Sequence, residues 1–144
     1  MHRPIRVVHF FALNHCIIYA GINKDIDGQH KKLVDTLNQL HQGMLNRHSR
    51  EETGALLKQL ATYTVDHFAT EERYFIRAQY PKASEHKALH IELTDQVKSY
   101  IARFEKGEIS LDIHLLDFLR KWLMNHILKE DMEYRQCLNK AGIR

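Results

Sequence analysis

Apolar residues recur at intervals of three and four positions along most of this chain, which is the repeat of an amphipathic α-helix. Four stretches show the repeat, at approximately 27–43, 49–80, 81–104 and 110–126. The connectors between them are short, and short connectors place successive helices side by side in opposite directions. The pattern therefore predicts an all-α fold, an up-down-up-down antiparallel four-helix bundle.

Residues that favour helix termini mark the predicted boundaries, since their side chains satisfy the free N–H groups of the first turn. The predicted caps or first residues are Asp25 or Asp27 for the first helix, Ser49 with Glu52 in a capping box for the second, Pro81 or Ser84 for the third, and Ser110 for the fourth.

Residues 1–20 precede this pattern and are predicted to form an N-terminal leader, with 21–144 as the bundle domain. The leader begins with basic residues and has apolar runs, as a secretion signal would. His9, Asn14 and His15 interrupt those runs, however, which argues against a signal peptide.

Composition narrows the class of protein. A net charge of +3 is spread over interleaved charges of both signs, without the clustered basic and aromatic residues of a nucleic-acid interface. No apolar run approaches the roughly 20 residues needed to cross a bilayer. Cys16 and Cys137 lie near opposite ends of the chain, which favours a reducing compartment, and the expected location is the cytoplasm.

Seven polar residues interrupt the inner, apolar faces of the predicted helices. A single histidine in such a place is usually a core residue bonded to a backbone carbonyl. Five histidines and two acids from four helices would need several separate buried pairs, and a metal site satisfies all of them at once. Imidazole and carboxylate ligands without cysteine suit iron or another first-row metal. The predicted ligands are His30, His67, Glu71, His86, His90, His126 and Asp131.

The donor count suggests two unequal metal positions. If both carboxylates and a solvent oxygen bridge two ions, three histidines complete six ligands on one ion, and two histidines leave one position open on the other. His86 and His90, spaced i,i+4, should bind the same ion. An open position can accept a small diatomic ligand. The Glu-x-x-His motif of carboxylate-rich di-iron sites does not occur in the sequence, which favours binding dioxygen over cleaving it.

At these residues the chain resembles the hemerythrin family, and within it the bacteriohemerythrins, the single-domain bacterial members. The resemblance spans about Gly21 to Leu138, and its matching segments are 26–31, 67–72, 80–81, 86–90 and 122–131. It implies a four-helix bundle with a non-haem di-iron centre, two iron ions joined by an oxo or hydroxo bridge, that binds dioxygen reversibly.

The resemblance also implies a role for each residue. It assigns His86, His90 and His126 to a six-coordinate iron, His30 and His67 to the iron that binds dioxygen, and Glu71 and Asp131 to bridges between them. The positions that match the apolar oxygen pocket are Leu33, Phe68, Trp122, Ile127 and Tyr134. A dry pocket of this kind slows autoxidation by excluding water and protons.

One spacing does not fit a regular helix. Successive residues of an α-helix rotate by about 100°, so Asp131 would point about 140° away from His126, and Glu130 would align instead. The resemblance nevertheless selects Asp131. We therefore predict a π-bulge or a distorted turn between His126 and Asp131, since such bulges collect at functional sites, with Glu130 directed to solvent.

The expected function is dioxygen binding for storage, carriage or delivery, without enzymatic activity, because no acid/base pair is found beyond the ligands. Two alternatives stay open. One is an oxygen or redox sensor module, and the other is a weak di-iron peroxidase or nitric-oxide-handling enzyme that uses the open iron position.

Overall fold

The computed structural model describes residues 23–143, except for the side chains of Ile127, Leu128 and Glu130, so the predicted leader lies outside the described residues. Those residues form helices joined by short loops, without a strand. The elements are α1 (Lys24–Leu45), α2 (Arg50–Ala78), α3 (Ala83–Glu105), α4 (Ile113–Asn125), a π-helical turn (His126–Asp131) and α5 (Met132–Lys140). In the described part, no helix has the length and apolarity to cross a membrane.

Four arms make up the bundle, and the fourth arm consists of α4, the π-helical turn and α5 in unbroken succession. α2 packs between α1 and α3. The fourth arm packs against the first two, with α4 in contact with α1 and α5 in contact with α2. A ring contact between Tyr100 and Phe118 joins α3 to α4. The predicted all-α, antiparallel four-helix bundle is confirmed.

Two predicted caps are wrong, and a neighbouring residue caps instead. Asn23, not Asp25 or Asp27, caps α1, because its Oδ1 accepts from the backbone N–H groups of Asp25 and Ile26. The two aspartates lie in the first turn, where negative charge also stabilises a helix.

The fourth arm starts later than predicted. Asp112, not Ser110, caps α4 by accepting from the N–H of Leu115. Ile109 and Leu111 pack against the core, which delays the helix until Asp112.

The remaining boundaries lie close to the predicted ones. The capping box of Ser49 and Glu52 is confirmed at the start of α2. At the other end, Gln79 adopts a left-handed conformation with φ of 53°, which stops α2 before Pro81. α3 begins at Ala83, directly after Lys82, and has no side-chain cap. The prediction that Pro81 or Ser84 starts this helix was therefore wrong by one or two residues.

Two clusters of buried apolar residues form the core. The larger one includes Leu37, Leu60 and Leu119, and the smaller one includes Phe75 and Tyr134. The predicted ligands lie between the two clusters, with aromatic rings from both sides against the histidines. The apolar packing thus encloses a polar layer.

The π-helical turn confirms the prediction drawn from the spacing of His126 and Asp131. The turn contains one residue more than a regular α-helical turn. Each residue after it therefore points in the direction that the residue one position earlier would have in a regular helix. When the extra residue is subtracted, about 40° or less separates His126 in direction from Asp131, Tyr134 and Leu138. In a regular helix without the bulge, the same three side chains would point about 80–140° away from His126. All three are fully buried. The turn therefore sets the inner face of the whole of α5. The side chain of Glu130 lies outside the described residues.

Candidate metal centre

Each arm of the bundle contributes to one buried polar cluster. α1 provides His30, α2 provides His67 and Glu71, and α3 provides His86 and His90, one helical turn apart. The π-helical turn provides both of its end residues, His126 and Asp131. None of the seven side chains is more than 4% exposed. The structure thus brings together all seven residues that the sequence singled out.

The carboxylate of Asp131 separates the histidines into two groups. Its Oδ2 lies 2.7 Å from His30 Nε2 and 3.2 Å from His67 Nε2. Its Oδ1 lies 3.0 Å from His126 Nε2 and 3.4 Å from His86 Nε2. The two oxygens of one carboxylate therefore face different histidines, which is the arrangement of a ligand that bridges two metal ions.

Glu71 contacts both groups but does not divide them in the same way. Its Oε1 lies 3.0 Å from His90 Nε2 and 3.3 Å from both His126 Nε2 and His67 Nε2. Its Oε2 lies 3.8 Å from His86 Nε2. All five histidines thus direct the same ring nitrogen, Nε2, towards two carboxylates.

Several atoms at the centre of the cluster are buried without a hydrogen bond. They are Nε2 of His86 and His90, Oε2 of Glu71 and Oδ1 of Asp131. Buried polar atoms without partners cost free energy, whereas lone pairs that converge on one point are the normal environment of a metal ion. The residues present therefore fit a metal centre.

Two groups of donors have ligand atoms within 4.8 Å of one another, as a metal site requires. Both groups contain Glu71 and His126, so the two candidate positions adjoin. One group is Glu71, His86, His90 and His126, and the other is His67, Glu71, His126 and Asp131. Histidine nitrogen and carboxylate oxygen suit first-row transition metals.

The carboxylates and histidines of the cluster shift one another's pKa values. The pKa of His126 is raised to about 10: burial lowers it, but the Asp131 and Glu71 carboxylates together outweigh burial. Burial raises the pKa of Asp131, yet the combined effect of His126, His30 and His67 holds that pKa well below its usual value.

The pKa values of His30 and Glu71 are also shifted. Burial lowers the pKa of His30 and outweighs the opposite effect of Asp131, whose Oδ2 lies 2.7 Å from His30 Nε2. Burial and the nearby Asp131 raise the pKa of Glu71, but His67 and His126 more than compensate and leave it lowered. A proton on His126 thus provides positive charge between two carboxylates, and metal ions compete with that proton for the same lone pair.

The aromatic residues predicted for the oxygen pocket border the histidines. The Phe68 ring stacks on His90 with centroids 3.8 Å apart and planes 6° from parallel, and it also contacts His67. Trp122 lies parallel to His126 with centroids 6.5 Å apart. Tyr134 meets His86 edge-on at 5.6 Å.

Leu33 and Ile127 are the other two positions predicted for the oxygen pocket. Leu33 is buried in the larger apolar cluster, three residues after His30 on α1. The side chain of Ile127 lies outside the described residues.

Two residues in contact with the cluster were missed by the sequence analysis. Gln29 lies against His67, and Glu72 lies against His90, each with an oxygen 3.0 Å from the histidine Nδ1. Each is next to a predicted ligand in the sequence, since Gln29 precedes His30 and Glu72 follows Glu71. One residue turns an α-helix by about 100°, so both side chains lie off its inner face. Both also lie in segments that match the hemerythrin pattern, 26–31 and 67–72, but their contacts depend on how the helices pack.

Six other histidines are not predicted ligands, and we refer to them as bystander histidines. Those that the structure describes lie away from the cluster. His41 is half-buried near the end of α1, and His48 and His114 are exposed. His2, His9 and His15 fall outside the described residues. Fold and cluster together define a four-helix-bundle protein with a buried histidine–carboxylate metal site.

Comparison with known proteins identifies the family. The hemerythrin HHE cation binding domain model matches residues 21–138. A bacteriohemerythrin of Stenotrophomonas maltophilia is 36% identical over 109 residues, 76% of this chain and 70% of that protein. Another, of Methylococcus capsulatus, is 35% identical over 113 residues, 78% of this chain and 86% of that protein. A crystal structure of wild-type hemerythrin aligns with a TM-score of 0.73 and 35% identity, covering 78% of this chain and 86% of that one.

The chain belongs to the hemerythrin family. The domain that defines this family binds a di-iron centre, and the cluster described above suits that cofactor. At the level of the family, the protein is therefore a di-iron protein that binds dioxygen.

Proposed function

We propose that this protein binds dioxygen reversibly at its di-iron centre and stores, carries or delivers it, without catalysing a reaction. We further propose that His86, His90 and His126 hold one iron, that His30 and His67 hold the iron that takes dioxygen, and that Glu71 and Asp131 bridge the pair. The lone cysteines of the sequence support a reducing compartment such as the cytoplasm.

The observation that carries this proposal is the division of histidines by Asp131. His30 and His67 face Oδ2, while His86 and His126 face Oδ1. His90 lies in one donor group with His86 and His126, so the cluster offers three imidazoles on one side and two on the other. The side with two has one ligand fewer, and that difference favours dioxygen binding there.

The iron pair supplies the electrons and the free coordination position for dioxygen. The protein supplies orientation and a dry environment. Burial raises the pKa of Glu71 and of Asp131, but the surrounding histidines leave both pKa values lowered, which favours the ionised form that a metal ligand needs. Leu33 and Phe68, 1% and 4% exposed, exclude water near His30 and His67. Water exclusion favours release of bound dioxygen over its protonation and loss as a reduced product.

The proposed function is tested by mixing the iron-loaded, fully reduced protein with dioxygen in a stopped-flow spectrophotometer and then removing the gas. A reversible carrier should gain a visible absorption band on mixing, lose it on deoxygenation, and repeat the cycle with two iron ions per chain. Irreversible oxidation in the first cycle, or sustained turnover when a reductant and peroxide are present, would contradict the proposal and favour an enzyme.

A further inference from the structure

The two sides of the cluster hold their histidines by different hydrogen-bond partners. His67, in the two-histidine group, has its Nδ1 3.0 Å from Oε1 of Gln29. His90, in the three-histidine group, has its Nδ1 3.0 Å from Oε2 of Glu72. One partner is a neutral amide and the other is a carboxylate. The chain therefore places a carboxylate behind one proposed iron position and an uncharged amide behind the other.

A chain of hydrogen bonds fixes the amide of Gln29 in one orientation. The hydroxyl of Thr70 donates its single proton to the backbone carbonyl of Asp66 at 3.0 Å. Its Oγ1 therefore only accepts, and it accepts from Arg73 at 3.2 Å and from Gln29 Nε2 at 2.8 Å. Gln29 must then present Oε1 to His67, so His67 carries its proton on Nδ1. The lone pair of His67 Nε2 is thereby directed into the cluster.

Glu72 likewise fixes the proton of His90 on Nδ1, but its acceptor is a negatively charged carboxylate. A carboxylate only accepts, so His90 donates from Nδ1 and keeps the lone pair on Nε2. That lone pair lies 3.0 Å from Glu71 Oε1, inside the donor group of His86 and His126. The side chain of Glu72 is 31% exposed, whereas its partner His90 is buried, so Glu72 joins the buried site to the surface between α2 and α3.

We propose that Gln29 and Glu72 are positioning residues that make the two irons unequal in their preference for the ferric state. This inference rests on the proposed ligand assignment. A carboxylate acceptor raises the basicity of a ligating imidazole, and its negative charge stabilises the more positive ion. Glu72 therefore favours ferric iron in the three-histidine position. Gln29 adds no charge at His67, and the Arg73 cation lies beyond Thr70 on that side.

The consequence is an ordered oxidation of the iron pair. Each step removes one electron from one ferrous ion, leaves that ion ferric, and passes the electron to an external acceptor or an electrode. The three-histidine iron should lose its electron at the lower potential. An iron held by His67 would stay ferrous to a higher potential than an iron held by His90.

Two reciprocal variants test this proposal, Glu72→Gln and Gln29→Glu, because each changes one charge and almost no volume. The potentials of both one-electron steps are measured by spectroelectrochemistry on the iron-loaded protein. Glu72→Gln should raise the potential of the first step, and Gln29→Glu should lower that of the second. A tenfold change in either equilibrium corresponds to a shift of about 59 mV. Glu51→Gln, an exposed change in the first turn of α2, should leave both potentials unchanged.

A third variant separates the effect of charge from loss of the hydrogen bond that orients Gln29. Thr70→Val removes the anchor of Gln29 without changing charge, so it should weaken iron binding about 10–100-fold in a chelator competition without the opposed shifts of the charge variants. If both charge variants shift potentials in the same direction, or not at all, while keeping two irons, the proposal is overturned and the proposed function stands. If the unmodified protein does not hold two irons, both are overturned.

Discussion

Removing one residue from the π-helical turn should leave the metal centre intact. Lys129 lies in that turn with an exposed side chain, and its deletion converts the spacing of His126 and Asp131 from five residues to four. In a regular α-helix, four residues bring the two side chains within about 40° of each other. The variant should therefore replace the π-helical turn by an ordinary one, keep both residues in the cluster, and leave α5 packed as before.

The matched control is deletion of Lys121, which is also an exposed lysine but lies in the regular helix α4. No bulge absorbs this deletion, so it rotates the preceding part of α4 by about 100° relative to the metal cluster. Leu115, Leu116 and Leu119, which are 9% exposed or less, would leave the core. Truncating one buried leucine costs about 2–5 kcal/mol, so displacing three is comparable to the entire stability of a domain, about 5–15 kcal/mol.

The assay is iron content by elemental analysis together with the free energy of unfolding from denaturant titration. Deletion of Lys129 should preserve two irons per chain and lose little or no stability, while deletion of Lys121 should abolish cooperative folding. Loss of iron in the Lys129 deletion with folding retained would show that the turn does more than restore register. Equal damage in both variants would refute the register argument altogether.

Three further predictions concern the ligands, the core and a cap. His90→Ala should lose iron, since it removes one arm of an i,i+4 chelate, whereas His41→Ala should keep the iron content and visible spectrum; equal iron loss would mean that ligand and bystander histidines were wrongly sorted. Leu60→Ala, at a fully buried position, should lower the free energy of unfolding by about 2–5 kcal/mol, and Ile76→Ala, 78% exposed, by no more than about 0.5 kcal/mol. Ser49→Ala removes the capping hydrogen bond to Glu52 N and should cost about 1 kcal/mol in the same titration; no measurable change would show that the box adds nothing to α2.

The sequence predicted the fold and the cluster because both depend on the same helical repeat. Inner positions recur every three to four residues, so a histidine at such a position is directed to the core whatever the details of packing. His30, His67 and His86 were found in this way. Helix starts were harder to predict because several capping residues stand near each one. Packing then decides among them, as Ile109 and Leu111 do before α4.

The helical repeat could not predict the residues that contact the histidines of the cluster from outside. Gln29 and Glu72 each follow or precede a ligand by one position, where a helix turns side chains by about 100° off the inner face. Their contacts with His67 and His90 exist because α1 packs on α2 and α2 packs on α3. Amphipathic patterns contain no information on which outward side chain meets a neighbouring helix.

The π-helical turn shows that a conflict in the sequence can itself be informative. Spacing alone favoured Glu130 as the partner of His126, whereas the family pattern required Asp131, and a regular helix cannot satisfy both. An extra residue in the turn resolves the conflict, and the same residue brings Tyr134 and Leu138 to the inner face of α5. If the turn served the metal alone, α5 would not need it. Because the packing of α5 depends on the register that the turn sets, an insertion that changes this register should disturb core stability and metal geometry together, whereas the deletion of Lys129 preserves the register and should disturb neither.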